Sequence, residues 1–293
     1  MLLLFEPFPL DDTWRGWLGS LRAESLERTN LTLFAHAPSA APRILDSENE
    51  SLQQSVLRLC YALFSMDVFH HDGGQIMSGS NVDGTVSIRQ VAKLDSLYRP
   101  NGVRIARLDR TSLLTAALVA DGMEVVNFGR GRHERLRSGF HAWLRGITEY
   151  YGDERLHQFI RAVEAVVKPP KGKSTRLFAH RCQLFAGNSV QAVSVLRELY
   201  ELRNTAEHHN PLATVLPRCA GAALERMTLR RAYQAQVMAS DVYRRIFQDA
   251  RLQQHFSTDA NIDAFWNMPL PQQVQAWGTA LDLEAIATAR MLP

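Results

Sequence analysis

Hydrophobic and polar positions follow two different periods along the chain, and the change comes near residue 109. Before it, two short apolar runs, MLLLF and LTLFAHA, have the length and composition of β-strands. The segment from Gln54 to Val68 spaces its apolar residues as a buried helix does. The later runs GGQIMSGSNVDGTVSIRQV and PNGVRIARL combine β-branched residues with Asp-Gly and Asn-Gly turns, which predicts two or three more strands. We therefore expect residues 1–108 to form a small mixed α/β domain.

From Asp109 onward, apolar residues recur every three to four positions, which is the period of an amphipathic helix. Six such segments follow one another, and shorter helical pieces come after them. The clearest break is VKPPKGKST, because Pro169, Pro170 and Gly172 do not continue a helix. The predicted fold class is therefore mainly α, with an α-helical bundle over residues 109–293 that follows the smaller mixed α/β domain.

Composition excludes several classes of protein. The 293 residues are 46% hydrophobic and 22% charged, and no apolar run has the length of a membrane span. The apolar start lacks basic residues and carries Glu6, so it does not resemble a signal peptide. The three cysteines, Cys60, Cys182 and Cys219, are too widely spaced for a disulfide framework or a metal-binding knot. We expect a cytoplasmic protein with no membrane partner.

Charge is distributed unevenly along the chain. The stretch from Glu154 to Ala232 holds 13 basic and 6 acidic residues, whereas the rest of the chain is net acidic. A polyanionic partner would fit this asymmetry. However, 29 of the 33 basic residues are arginine, so a general preference for arginine explains a local excess equally well. Both interpretations stay open at this point.

The predicted helix from Ser189 to about His209 holds the most specific signal. Its apolar stripe runs through Ala192, Leu196, Leu199 and Tyr200. The next position on the stripe is Arg203, and a fixed charge that continues a buried face is costly unless it has a partner. Asn204 and His208 are four residues apart and share a face. These three polar residues are the candidate chemistry of the chain.

Arg203 and His208 are related by about 140° around a regular helix, so they do not stack directly. Asn210-Pro211 is expected to end the helix, which leaves His208 near the C-terminal end, where the helix dipole favours imidazolium. RNA carries its own nucleophile, the ribose 2′-hydroxyl. Its cleavage needs a proton shuttle and a cation that stabilises charge on the phosphate. A histidine and an arginine supply both without metal.

Spacing alone does not establish this function. With 29 arginines and 10 histidines in the chain, an Arg-x4-His spacing is expected about once by chance, and it occurs once. The alternative is a polar cluster at a helix end, in which Arg203 pairs with a neighbouring glutamate. The available partners on this helix are Glu198, Glu201 and Glu207.

The string VLRELYELRNTAEHHN resembles the signature of the HEPN superfamily, whose ribonucleases carry an Arg-Asn/Asp/His-x-x-x-His motif on a helix of an α-helical bundle. LYELRNTAEHH is similar to the Apea-like branch of that superfamily. Upstream, ERLHQFIRAVEAVV and HRCQLFAG resemble the preceding helices of the same branch. The resemblance covers roughly residues 109–250.

The resemblance implies a metal-independent endoribonuclease with Arg203 and His208 as catalytic pair and Asn204 as the adjacent polar member. It also implies that two protomers form one composite site, that RNA is cut to a cyclic phosphate, and that no cofactor is needed. Phage defence or stress-related RNA decay, with a regulatory protein encoded by a neighbouring gene, fits such an enzyme. Four further residues are predicted to bind substrate: Glu207, His209, Arg161 and His157.

Two other hypotheses belong to different classes of function. The same bundle would serve as a non-catalytic scaffold if its Arg/His pair held RNA or a partner protein without turnover. Alternatively, His70, His71 and Asp72 would make a metal site, although adjacent histidines rarely reach one ion. The basic run FGRGRHERLR is interpreted either as a nucleic-acid contact or as a solvated loop that enters a helix.

Overall fold

The fold is mainly helical in the computed structural model, as the sequence predicts. The structure describes residues 2–4, 10–29, 32–38, 47–67, 74–82, 85–94, 97, 102–128, 131–169 and 174–292. The chain divides into two compact units. The first comprises Met1–Tyr61 and His71–Leu97, and the second comprises Ala62–His70 and Tyr98–Pro293.

The first unit combines helices with two small sheets. Its helices are α1 (Asp12–Leu18), α2 (Ser20–Glu27) and most of α3 (Ser47–Phe64). Its strands are β1 (Leu2–Leu4), β2 (Thr32–Phe34), β3 (Gly74–Val82) and β4 (Thr85–Leu94). β1 pairs with β2 and β3 pairs with β4, both antiparallel. The strands predicted from MLLLF, LTLFAHA and the first Gly-rich run are confirmed, whereas α3 begins seven residues before the predicted Gln54 and ends before Val68.

Amide side chains of α3 connect this helix to the β3–β4 hairpin. Gln53 donates from Nε2 to the Ser78 hydroxyl at 2.9 Å and to the Gln90 Oε1 at 2.6 Å. Asn49 donates from Nδ2 to the same Ser78 hydroxyl at 3.0 Å. The hairpin bulges between Ser78 and Gly79, next to these contacts. α3 is therefore joined to the hairpin by polar contacts.

The second unit, in the part that the structure describes, consists of helices joined by turns and loops, with one isolated bridge. Its longer helices are α4 (Arg110–Phe128), α5 (Glu134–Thr148), α6 (Gly152–Val167), α7 (Ser174–Ala186), α8 (Val190–Glu207) and α9 (Ala222–Gln248). The shorter ones are α10 (Ala250–His255), α11 (Asp259–Asn267), α12 (Leu270–Trp277) and α13 (Leu283–Arg290). In the described part of PNGVRIARL, Val103 forms a single antiparallel bridge with Met291. Because Met291 directly follows α13, the paired segment is short and no strand develops.

Local capping sets where these helices start. The Asp109 carboxylate accepts from the Ser112 backbone N–H at 2.7 Å and starts α4, as the sequence predicts. The Ser189 hydroxyl accepts from the Ala192 N–H at 3.1 Å and starts α8 in the same way. Both predicted helix starts are confirmed at the predicted residues.

α6 packs against α5, α8 and α9, and this group forms the centre of the bundle. Aromatic side chains fill it. Trp143 is fully buried and donates from its indole nitrogen to the Ser240 hydroxyl at 3.0 Å. Tyr243, also fully buried, donates to the Ala162 carbonyl at 2.8 Å. Each ring therefore buries apolar area and satisfies its polar atom at the same time. None of the described helices is long and apolar enough to cross a membrane.

Two glycines allow helices to approach each other closely. Gly122 of α4 faces the backbone of α9, and a methyl group at this position would overlap the Phe247 carbonyl and lie 2.8 Å from the Gln253 amide nitrogen. Gly139 of α5 faces the Tyr243 hydroxyl and the Ala165 methyl group in the same manner. Since the Phe247 carbonyl is backbone, it has little freedom to move aside.

We predict that Gly122→Ala lowers the free energy of unfolding by about 3 kcal/mol, because the added methyl group forces α4 away from α9. Urea denaturation followed by circular dichroism measures this. The matched control is Gly152→Ala, whose methyl group would meet the Leu229 side chain at an ordinary 3.4 Å. Equal stability of the two variants would contradict the close approach.

Candidate functional site

Arg203 continues the buried face of α8, as its place on the apolar stripe predicts. Leu196, Leu199 and Tyr200 are buried, and the Arg203 side chain is 15% exposed. A guanidinium at this depth requires partners, because the loss of water is not otherwise compensated. The contacts of Arg203 therefore define the site.

Three acceptors surround the Arg203 guanidinium. Its Nη2 forms an ion pair with the Glu164 Oε2 at 3.2 Å. Its Nη1 donates to the Asn204 Oδ1 at 3.0 Å and to the Glu207 carboxylate. Its Nε is buried and has no hydrogen-bond partner among the described residues. One cation thus stands between two carboxylates, one on α6 and one on α8.

Tyr200 fixes the Glu164 side of this arrangement. Its hydroxyl donates to the Glu164 Oε1 at 3.0 Å, so both oxygens of that carboxylate are engaged. The Arg203 Cζ lies 5.9 Å from the centre of the Tyr200 ring, within cation–π range. Tyr200, Glu164 and Arg203 form a closed set of contacts between α6 and α8.

Glu164 is a member of the site that sequence reasoning missed. It lies on α6, 39 positions before Arg203, and its side chain is 18% exposed. The signal that would have found it is a single carboxylate inside the apolar run AVEAVV, the counterpart of a single guanidinium on the stripe of α8. Matching the two requires the packing of α6 on α8, which a single sequence does not supply.

The glutamates offered as partners on α8 itself differ in their contacts. Glu207 pairs with Arg203 at a spacing of four residues. Glu198 instead pairs with Arg231 of α9 at 2.8 Å. Glu201 is exposed. The polar cluster at the helix end therefore exists through Glu207, with Glu164 of α6 as its second carboxylate.

His208 occupies different surroundings from Arg203. α8 ends at Glu207, and His208 is the capping residue, exposed, with its backbone N–H bonded to the Asn204 carbonyl at 3.2 Å. No hydrogen bond joins Arg203 to His208 within the described part of the chain. This separation agrees with their angular offset on the helix. His209 follows in the left-handed region, with φ of 54°, and is also exposed.

The other two predicted substrate-binding residues lie on α6 near this cluster. His157 is half-buried, and burial lowers its pKa. The positive charge of Arg203 lowers the pKa further, as does that of Arg161, whereas Glu207 raises it. Arg161 itself is exposed. His157 therefore lies within the electrostatic field of the Arg203–Glu207 pair.

The competing sequence signals have different outcomes. His70, His71 and Asp72 lie outside the described residues, and the described histidines, cysteines and acidic residues form no group of three that would hold a metal. In the basic run from Phe128, α5 begins at Glu134. Arg135 pairs with Asp259 at 2.9 Å, and Arg137 donates to the Val126 carbonyl at 3.0 Å. These two arginines have intramolecular partners that connect helices.

Comparison with protein-family models, with curated proteins and with solved structures finds no match to this chain.

The pKa of His157 tests the electrostatics of the cluster. Burial is the main cause of its shift below the ordinary value of 6.5, and Arg203 is the next. We predict that Arg203→Gln raises the pKa of His157, because a repelling charge disappears while Glu207 keeps its own. An NMR titration of the His157 ring measures this, with Arg197→Gln, which removes an exposed charge from the same helix, as control.

The same shift has a consequence for stability. Because the folded-state pKa of His157 is below the unfolded value, the neutral form favours folding, and this contribution is complete above pH 6.5 and is lost as the pH falls through the folded pKa. His157→Gln is expected to reduce the loss of stability between pH 7 and pH 5.

In the NMR titration, the pKa of His157 is compared between Arg203→Gln and Arg197→Gln. If the two variants gave the same pKa of His157, the proximity of Arg203 and His157 would be refuted.

Proposed function

We propose that the protein is a metal-independent endoribonuclease of HEPN type that acts as a homodimer. The observation that carries this proposal is the Arg203 guanidinium, held by Glu164 at the end of a buried helix face, with the exposed His208 five residues later at the end of the same helix. A fixed cation and a solvent-accessible imidazole are the two groups that cleavage of an RNA backbone requires. The resemblance of VLRELYELRNTAEHHN to the HEPN signature and the excess of basic residues from Glu154 to Ala232 support the same function.

In the proposed reaction, the ribose 2′-oxygen attacks phosphorus and forms a P–O bond while the bond to the 5′-oxygen of the next nucleotide breaks. A base accepts the 2′-hydroxyl proton, and an acid gives a proton to the leaving 5′-oxygen. The products are a cyclic phosphate and a 5′-hydroxyl. Arg203 stabilises the charge on the non-bridging oxygens, and Asn204 orients the guanidinium through the bond of its Oδ1.

A single histidine does not serve as base and acid in one concerted step. A dimer solves this difficulty, because His208 of one protomer acts as base and the partner subunit's His208 acts as acid. The exposure of His208 and His209 at the end of α8 supports this arrangement, since both rings are accessible to a second chain and to RNA. In this proposal Glu207, Arg161 and His157 also contact the strand: Glu207 pairs with Arg203, and the charges of Arg203 and Arg161 both act on His157.

In this proposal the enzyme needs no cofactor and works in the cytoplasm, in phage defence or in RNA decay under stress. The N-terminal mixed domain of residues 1–108 would sense the trigger or hold the bundle inactive, together with a regulatory protein from a neighbouring gene. The same proposal assigns residues 109–293 to a HEPN-like bundle and residues 1–108 to the mixed α/β domain that precedes it.

Cleavage of RNA in the presence of EDTA tests the enzyme directly. We expect wild-type protein to cut, and Arg203→Ala and His208→Ala to lose about 100-fold or more in rate, the usual effect of removing a proton-transfer or charge-stabilising group. His180→Ala, which removes an exposed histidine of α7, is the matched control and should cut like wild type. Equal rates in all four proteins would overturn the proposal, as would inhibition by EDTA.

Arg203→Ala also removes a buried ion pair, so its folding has to be measured separately. A melting curve identifies a variant that has simply unfolded. Arg203→Lys keeps the charge but loses the planar pair of donors, and we expect it to remain folded and to cut far more slowly than wild type.

A second function is favoured by one specific observation. The Nη atoms of Arg203 already carry the Glu164, Asn204 and Glu207 acceptors, and two of these are charged. A guanidinium neutralised in this way suits a non-catalytic scaffold that binds RNA or a partner protein. RNA binding that depends on Arg203, with no product after long incubation, would select the scaffold over the nuclease.

A further inference from the structure

The outer nitrogens of Arg203 are occupied in the structure, and this restricts how the residue binds a ligand. Arginine binds phosphate best through two parallel N–H groups. Here Nη2 is engaged by Glu164, while Nη1 is engaged by Asn204 and Glu207. The Nε is buried. Both hydrogens of Nη1 are therefore engaged, so a phosphate that bridges Nη1 and Nη2 binds only if Asn204 or Glu207 leaves.

The two carboxylates differ in how easily they leave. Glu164 lies inside α6, is 18% exposed, and accepts from the Tyr200 hydroxyl with its other oxygen. Glu207 is the last residue of α8 and is 43% exposed. An ion pair four residues apart on a helix contributes little when one partner is as exposed as Glu207. Glu207 is thus the acceptor whose departure costs least.

We infer that Glu207 is a resident anion that occupies the phosphate position on Arg203 and leaves when a phosphodiester binds, while Glu164 stays in place. The identification of the ligand as RNA rests on the proposed function, whereas the exchange itself rests on the contacts of Arg203. The site thereby has a closed state, in which Glu207 neutralises the cation, and an open state, in which the backbone of the strand takes over that position.

Charge supports an exchange over simple addition. The cluster holds one guanidinium and two carboxylates, so a phosphate that entered without displacing Glu207 would meet excess negative charge. When Glu207 leaves, one anion replaces another and the balance is kept. Arg161 is exposed on α6 and, like Glu207, lies near His157, so it is available to the displaced carboxylate or to the strand.

Binding of a short single-stranded 2′-O-methyl RNA tests the exchange, because this probe has no free 2′-hydroxyl and is not cleaved by the proposed reaction. We expect Glu207→Gln to lower its Kd by about threefold to tenfold relative to wild type, because the carboxylate that competes with the phosphate for Arg203 loses its charge. Fluorescence anisotropy at fixed salt and pH measures the Kd.

Two variants separate exchange from a general charge effect. Glu201→Gln removes the same charge from an exposed position on the same helix and should change the Kd less than twofold. Glu164→Gln removes the same charge from the other side of the same guanidinium and should not tighten binding, because Arg203 loses its fixed partner. Melting curves establish whether each variant is folded. If Glu164→Gln is unfolded, the comparison of Glu207→Gln with Glu201→Gln still tests the exchange.

The inference is overturned if Glu207→Gln binds no more tightly than Glu201→Gln, if a folded Glu164→Gln tightens binding as much as Glu207→Gln, or if no variant binds the probe. Cleavage of unmodified RNA is scored separately. Tighter binding by Glu207→Gln without any cleavage supports the exchange and removes the nuclease function. Cleavage by wild type, with equal binding in Glu207→Gln and Glu201→Gln, supports the nuclease function and overturns the exchange.

Discussion

The ion pair between Arg203 and Glu164 is the constraint on which the candidate site depends. It joins α8 to α6 through two side chains that are largely buried. Each charge compensates for the water that the other has lost. Removal of Arg203 would leave the largely buried Glu164 carboxylate without its cation, which would destabilise the fold. Tyr200 adds a hydrogen bond to the same carboxylate. The guanidinium is therefore fixed by the fold before any ligand arrives.

A second carboxylate, that of Glu207, also contacts this fixed cation. Glu207 lies at the end of α8, where the helix gives way to exposed residues, so its contact with Arg203 is the more exchangeable of the two. The next residue, His208, is exposed, and no hydrogen bond joins it to Arg203 among the described residues. Arg203 is thus largely buried on one side of the candidate site, and His208 is accessible on the other. The proposed function requires a second surface that completes this site. In the proposal, RNA and a second protomer supply that surface.

Much of the fold was predictable, because it depends on local patterns. Apolar periodicity and the caps at Asp109 and Ser189 place α4 and α8 at the predicted residues. The start of α3 was predicted late, since its first turn is polar and holds Glu48 and Glu50. Acidic residues favour a helix N-terminus through the helix dipole without contributing to apolar periodicity.

The candidate site was predictable only in part. Arg203 is visible in the sequence because it breaks an apolar stripe, and its partner Glu207 is visible at four residues. Glu164 depends on the register of α6 against α8, and the field at His157 depends on the same packing. Such relations between distant segments are properties of the tertiary structure, so no spacing rule reveals them.

The chemistry of the RNA ends tests the central claim most directly. RNA cut by the protein in EDTA should carry a cyclic phosphate on the upstream fragment and a 5′-hydroxyl on the downstream one, because the 2′-oxygen is the nucleophile. Mass spectrometry of the fragments distinguishes these ends. Fragments with a 3′-hydroxyl and a 5′-phosphate would mean that water attacks instead, and the assignment of Arg203 and His208 to this reaction would be wrong.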